Sequence, residues 1–237
     1  MRDQQIRAIE EMGLGPLWVR RQVEVPQTQY PLESPEDRAD AIAAMSWDRL
    51  IETVGVCRAC RLCETRTQTV FGVGVLDPDW MVIGEAPGAE EDARGEPFVG
   101  QAGRLLDAML ASVGLSRERN AFIVNVLKCR PPNNRDPAPD EVAQCLPFLR
   151  RQIELLAPRM ILVVGKSASA ALLGREASIA SLRGKEHRVP IAGRDIPVVV
   201  TYHPAYLLRS PQEKAKAWAD LSLAKRIYES ANSAVAG

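Results

Sequence analysis

The chain predicts an α/β fold built on a mainly parallel, four-stranded sheet. Nearly continuous apolar runs recur near residues 80, 122, 161 and 198, and segments with helical spacing alternate with them. Such runs suit strands buried on both faces, as in a parallel sheet covered by helices on either side. A third observation concerns chemistry. Gly84/Glu85, Gly165/Lys166 and His203 each follow directly after a strand, and Asn125 lies towards the end of one. Parallel sheets bind ligands beyond the carboxyl ends of their strands, so four segments converge on one edge.

The elements follow in order. Residues 1–46 read as an N-terminal arm, partly disordered or a docking peptide. A short amphipathic stretch from Ile6 is broken by Gly13, Gly15 and Pro16, and Pro26, Pro31 and Pro35 keep the next part extended. Leu17-Trp18-Val19 is its anchor, packing on the main domain or docking a partner. Met12 to Arg21 resembles, over about ten residues, the N-terminal peptide of the bacterial clamp-loader psi subunit, which implies docking to a replication protein. Ser46 caps a helix reaching Val54. Trp80–Ile83 is a buried strand that enters the turn Gly84-Glu-Ala-Pro-Gly88, and 103–113 is helical. The strand through Ile123 and Asn125 stops at Pro131-Pro132. A helix spans 140–156, a strand 160–164, and a helix starts at Lys166. The polar stretch 183–194 reads as a hairpin and 196–202 as a strand. Ser210-Pro211 opens a last helix to about Tyr228, leaving 231–237 as a tail.

Composition bounds the function only loosely. The 237 residues hold 46% apolar and 25% charged side chains, with 30 Lys+Arg against 30 Asp+Glu. That is ordinary for a soluble domain, and a net charge of zero gives no hint of nucleic acid. Local basic clusters remain, at Lys128/Arg130/Arg135 and Arg183/Lys185/Arg188. No apolar run could span a bilayer, and the start lacks a secretory h-region, so a cytoplasmic protein is expected.

The chemistry lies in a few side chains. Asn125 places an amide inside an apolar run, where it needs a partner. Glu85, at a strand tip, could position a water or act as a general base. His203 is the one plausible catalytic imidazole, since His187 lies in the polar stretch and reads as a surface residue. Cys57 and Cys60 form a Cys-x-x-Cys pair, Cys129 follows the Asn125 strand, and Cys145 sits 16 residues later. Four thiolates could hold zinc or an iron–sulfur cluster, and spacing does not choose between them. Cys63 is a fifth thiol without an obvious role.

Taken together, Cys57-Arg-Ala-Cys60, Glu64-Thr-Arg-Thr67, Gly84-Glu-Ala-Pro-Gly88 with Glu91-Asp92, Pro97-Phe-Val-Gly100, Asn125-Val-Leu-Lys-Cys-Arg-Pro-Pro132 and His203-Pro-Ala-Tyr-Leu-Leu-Arg209 resemble the family-4 uracil-DNA glycosylases. The match covers about residues 48 to 230. It implies a three-layer α/β/α glycosylase domain over 47–230, acting as a monomer on uracil-containing DNA. It implies a structural [4Fe-4S] cluster on Cys57, Cys60, Cys129 and Cys145. Phe98 would stack on a flipped uracil, in a pocket that Gly84 lines. Asn125 would read the base edge, and Glu91 would exclude thymine's methyl group. His203 would donate to uracil O2, and Glu85 would orient the attacking water. Tyr206, Leu207 and Leu208 would wedge into the minor groove. Arg209, Arg130 and Arg135 would contact phosphate. Pro131-Pro-Asn-Asn-Arg135 lacks the His-containing basic insertion of relatives that trap uracil covalently, so turnover is expected.

The alternatives are a zinc- or cluster-stabilised, replication-associated nucleic-acid-binding module without catalysis, and a sister glycosylase family with broader substrates. The acids Glu90, Glu91 and Asp92 argue against a pure binder, because they would repel a phosphate backbone. Asn125 favours uracil over the broader family.

Overall fold

The computed structural model describes residues 35–235. Its strands are β1 (Val73–Gly74), β2 (Trp80–Gly84), β3 (Ala121–Asn125), β4 (Met160–Val164), β5 (Glu186–Ile191) and β6 (Arg194–Thr201), in one sheet of order β1-β3-β2-β4-β6-β5. The inner four, β3-β2-β4-β6, run parallel and are the predicted strands. The edges correct the strand count. β1 pairs antiparallel with β3, and β5 pairs antiparallel with β6, so the sheet has six strands. β1 is two residues long, too short to show a period. β5 alternates exposed and buried residues, the pattern of a half-solvated edge. The turn joining it to β6 holds Ala192 at φ 50° and Gly193 at φ 74°. Positive φ at both central residues matches the twist of the paired strands.

The helices are α1 (Pro35–Ala43), α2 (Trp47–Gly55), α3 (Ala89–Arg94), α4 (Gln101–Ala111), α5 (Pro139–Leu156), α6 (Lys166–Leu173), α7 (Ile179–Leu182), α8 (Pro204–Arg209) and α9 (Lys214–Val235). Strand alternation splits the core into two layers. Trp80, Val82, Ile123 and Leu162 face α4, α8 and α9 through Leu106, Leu110, Leu207 and Leu221. Met81, Ile83, Val124, Ile161 and Val163 face α5 and α6 through Leu149, Ile153, Ala168 and Leu172. The fold is therefore α/β with three layers.

α1 lies within the stretch read from sequence as an arm, yet its Ile42 is buried in a small core with Leu50, Val54 and Phe148. The Trp18 anchor and the Met12–Arg21 resemblance fall outside the described residues. Ser46 caps α2 as predicted, accepting from the Arg49 N–H. The last helix starts later and ends later than expected. A 3₁₀ turn, Pro211–Glu213, precedes α9 without a Ser210 side-chain cap. No helix among the described residues is long and apolar enough to cross a membrane.

Candidate active site

The carboxyl ends of β2, β3 and β6 frame a cavity of about 470 Å³ lined by Glu85, Glu91, Phe98, Asn125, His203 and Arg209 among others. Asn125 ends β3 and pairs in register with Gly84 at the end of β2. The residue is 2% exposed, and its Oδ1 is buried without a hydrogen-bond partner. A buried amide oxygen left open in this way is costly unless something fills the need. Gly84 is what allows the approach. A Cβ there would stand 2.4 Å from Asn125 Oδ1 and 2.6 Å from Phe98 Cζ.

Phe98 forms the wall beside the amide, with its ring centroid 5.6 Å from that of His203 and 30° from parallel. Its φ of 54° is unusual for a bulky residue and must be held by its surroundings. Arg117 holds it, donating to Pro97 O at 3.2 Å and Phe98 O at 3.1 Å. Gly103 lies so close beneath that a Cβ would overlap Phe98 O.

His203 follows β6 and caps α8, its Nδ1 accepting from the Ala205 N–H at 3.1 Å. The neutral ring must then carry its proton on Nε2. Burial, reinforced by Arg209 and opposed by Glu91, pulls the imidazolium down to about 4. His203 is thus a neutral donor at neutral pH. Glu85 is shifted the other way. Burial raises its carboxyl above the ordinary value, a hydrogen bond with Ser167 in the first turn of α6 opposes this, and Asp136 adds to the rise.

The acidic run is spoken for internally. Glu91 accepts from the N–H groups of Gly88 (3.1 Å), Val99 (3.0 Å) and Gly100 (3.2 Å), which ties the Gly84–Gly88 turn to the Phe98 loop. Asp92 is buried and accepts from the Thr67 N–H at 2.9 Å. Two of the three acids therefore also act as clamps, a structural role beside the charge that sequence reading gave them.

Behind the end of β3 lies a second, small cavity, lined by Cys57, Cys60, Cys63, Cys129 and Cys145 with Arg66 and Lys128. All five thiols are free. Arg66 donates to Cys129 Sγ at 2.9 Å and to Cys57 O at 2.8 Å, and Arg38 reaches Cys57 Sγ at 3.6 Å. Burial pushes the Cys129 and Cys145 thiols up to about 11 and about 12, with Arg66 and a backbone bond from Lys128 respectively opposing it. Soft sulfurs beside buried and partly buried cations suit an anionic metal–thiolate group. Among the described residues no three metal-ligating side chains close around one ion.

The chain matches the family model of the uracil DNA glycosylase superfamily over residues 71–222. It is 44% identical over 171 residues to the type-4 uracil-DNA glycosylase of Archaeoglobus fulgidus, covering 70% of this chain and 85% of that one. It is 45% identical over 163 residues to the type-4 enzyme of Thermotoga maritima, covering 67% and 81%. The chain belongs to the type-4 uracil-DNA glycosylases. A type-5 uracil-DNA glycosylase from Pyrobaculum aerophilum is 31% identical over 56% of the chain, so the sister family is the more distant match. The protein is accordingly a hydrolase of the DNA-glycosylase class, and the non-catalytic module is set aside.

In this type-4 glycosylase, several sequence-predicted residues stand elsewhere than expected. Leu207 is 1% exposed and packs in the core under α8, so it is no wedge. Tyr206, 38% exposed, and Arg209 line the cavity, while Leu208 is half-buried. Arg135 reaches the cavity but donates to Glu141 at 2.9 Å, and Arg130 donates to Asn134 Oδ1 at 2.8 Å. Lys128 is not part of a surface patch. It is 1% exposed, and its Nζ donates to Asn125 O and Gln152 Oε1, both at 2.7 Å. Arg183 of the second patch pairs with the buried Asp220 at 3.0 Å. His187 is buried rather than superficial, meeting Arg175 and Leu182 O, because it faces inward from β5. Sequence reasoning assigned no role to Ser167, Arg117 or Arg66. Arg66 alone had a signal, its place inside Glu64-Thr-Arg-Thr67 beside the cysteines.

Proposed function

We propose that this glycosylase hydrolyses the N-glycosidic bond of a uracil flipped out of DNA, with Asn125 reading the base and His203 stabilising its departure. The observation that carries the reading is the buried, partnerless Oδ1 of Asn125, a residue that lines the cavity together with Phe98. A base must leave the stack to enter such a cavity. There Phe98 would stack on the ring, uracil N3–H would donate to Asn125 Oδ1, and the amide N–H would donate to O4. Cytosine offers an acceptor and an amine at those places, and a site built on hydrogen bonds rejects that mismatch strongly. Glu91, lining the cavity, would crowd the C5 position against thymine's methyl group.

Bond cleavage builds negative charge on uracil O2 and positive charge on the sugar. His203 Nε2–H, neutral and fixed by Ala205, would donate to O2, and a preorganised donor of this kind is worth about 100-fold or more in rate. Glu85 would orient the water that attacks C1′. Tyr206 and Leu208 would hold the gap left in the strand. Arg209, with Arg130 and Arg135, would contact phosphate.

The thiol cavity fits a [4Fe-4S] cluster held by Cys57, Cys60, Cys129 and Cys145, with Arg66, Arg38 and Lys128 offsetting its negative charge. The four thiols line one cavity, as the shared attachment of such a cluster requires. When bound it supplies structure rather than chemistry to the glycosidic bond. The enzyme is proposed to work as a cytoplasmic monomer, with the residues before α1 an arm available to a replication protein.

The test is uracil release from a labelled single-stranded oligonucleotide. Asn125→Ala and His203→Ala should each lower release about 100-fold or more while leaving iron content unchanged. Near-normal release by Asn125→Ala would sink the assignment.

A further inference from the structure

A four-coordinate group needs four thiols, yet five line the cavity behind β3. The fifth, Cys63, lies on the 3₁₀ turn Arg61–Glu64, and Cys60 is the residue that caps this turn. The Cys63 N–H donates to Cys60 O at 3.2 Å. Cys60 and Cys63 thus sit at the start of one short turn and within it, and both line the same cavity. Depth separates the five. Cys129 and Cys145 are 4% and 5% exposed and form the floor, whereas Cys57, Cys60 and Cys63 are half-buried and form the mouth. Within the mouth, Cys57 is the sulfur that Arg38 holds, at 3.6 Å. Cys60 is thus the ligand with a second thiol beside it on its own turn.

We propose that Cys63 is a reserve ligand of the cluster site that exchanges with Cys60. The proposal rests on the cluster reading above. In the exchange, the iron–sulfur bond to Cys60 breaks as one to Cys63 forms. The Cys63 thiol proton passes to the released Cys60 sulfur, and iron keeps both its oxidation state and its coordination number. The backbone move is confined to one turn. The device guards the half-buried mouth of the site, where a thiol is more open to oxidation or alkylation than on the buried floor.

The experiment compares full-length wild type, Cys60→Ser, Cys63→Ser, Cys60→Ser/Cys63→Ser and Cys145→Ser, each assayed for iron and acid-labile sulfide per chain and for visible absorption. Cys60→Ser should keep most of the wild-type iron, the double variant should lose nearly all of it, and Cys145→Ser should lose it alone. Cys63→Ser, altered at a half-exposed position, should fold and load normally but release iron to a chelator severalfold faster than wild type. Cys60→Ser as empty as Cys145→Ser, a double variant that stays loaded, or an unchanged release rate in Cys63→Ser would each overturn the exchange. Wild type without iron would instead remove the cluster reading itself, which the wild-type assay alone reveals.

Discussion

Burial decides which protonation state each catalytic side chain holds. His203 is neutral above about pH 5, so the hydrogen bond proposed for it to a leaving base would not vary across the neutral range. On the proposed role for Glu85 as a carboxylate, the acid limb of the rate profile belongs to this residue, whose carboxyl is raised chiefly by burial. Activity should fall as pH drops through that raised value. Ser167→Ala removes the one influence that lowers it, so the limb of kcat/KM should move to higher pH while the rate at pH 8 stays nearly unchanged. Superimposable acid limbs for wild type and Ser167→Ala would show that another group sets the limb. His203 also bears on stability. Its folded value, about 4, lies below the ordinary 6.5, so the unfolded chain binds the proton first as pH falls. The stability this residue allows is complete above pH 6.5 and declines between 6.5 and 4. Denaturant midpoints at pH 7 and pH 5 check this, with His203→Gln showing the smaller drop.

Among the elements, α8 separates packing from contact with DNA. His203-Pro-Ala-Tyr-Leu-Leu-Arg209 reads as one motif, but its helix sends Leu207 into the core and leaves Tyr206 at the cavity. Leu207→Ala should cost about 2–5 kcal/mol of stability, as large core truncations do. Tyr206→Ala should cost under about 1 kcal/mol and act on DNA affinity instead. Urea unfolding and oligonucleotide binding, measured on both variants, separate the two roles. A sequence pattern shows that both residues are near the site, but which one faces inward depends on the angle at which α8 leaves β6. The same limit applies elsewhere. The four parallel strands were legible because burial on both faces leaves long apolar runs, and Asn125, Glu85 and His203 were legible because strand ends locate themselves. β1 was too short for a period. Ser167, Arg117 and the buried role of Lys128 show only in the partners each side chain meets, Glu85, the Phe98 carbonyl and Gln152 respectively.

Across the whole molecule, the thiol cavity ties together segments that the sheet does not. Cys57 follows α2, Cys60 caps a separate turn, Cys129 lies four residues beyond β3, and Cys145 lies in α5. Without metal, burial keeps the Cys129 and Cys145 thiols protonated at neutral pH, since their values are pushed up to about 11 and about 12. Arg66 and Lys128 then face neutral sulfur instead of an anionic partner. Buried cations without counter-charge destabilise a fold, and burial already draws Lys128 down to about 7. If the cavity holds the proposed cluster, removing its iron should therefore lower the thermal midpoint by more than about 5 °C, with reconstitution restoring it. The loss should also reach the active site, because Lys128 Nζ donates to the backbone oxygen of Asn125. If Asn125 reads the base as proposed, iron-free enzyme that stays folded should show a raised KM for uracil-containing oligonucleotide, because the strand end that carries the amide is then held less firmly. An unchanged midpoint after complete removal of iron would mean that the four segments are held by packing alone.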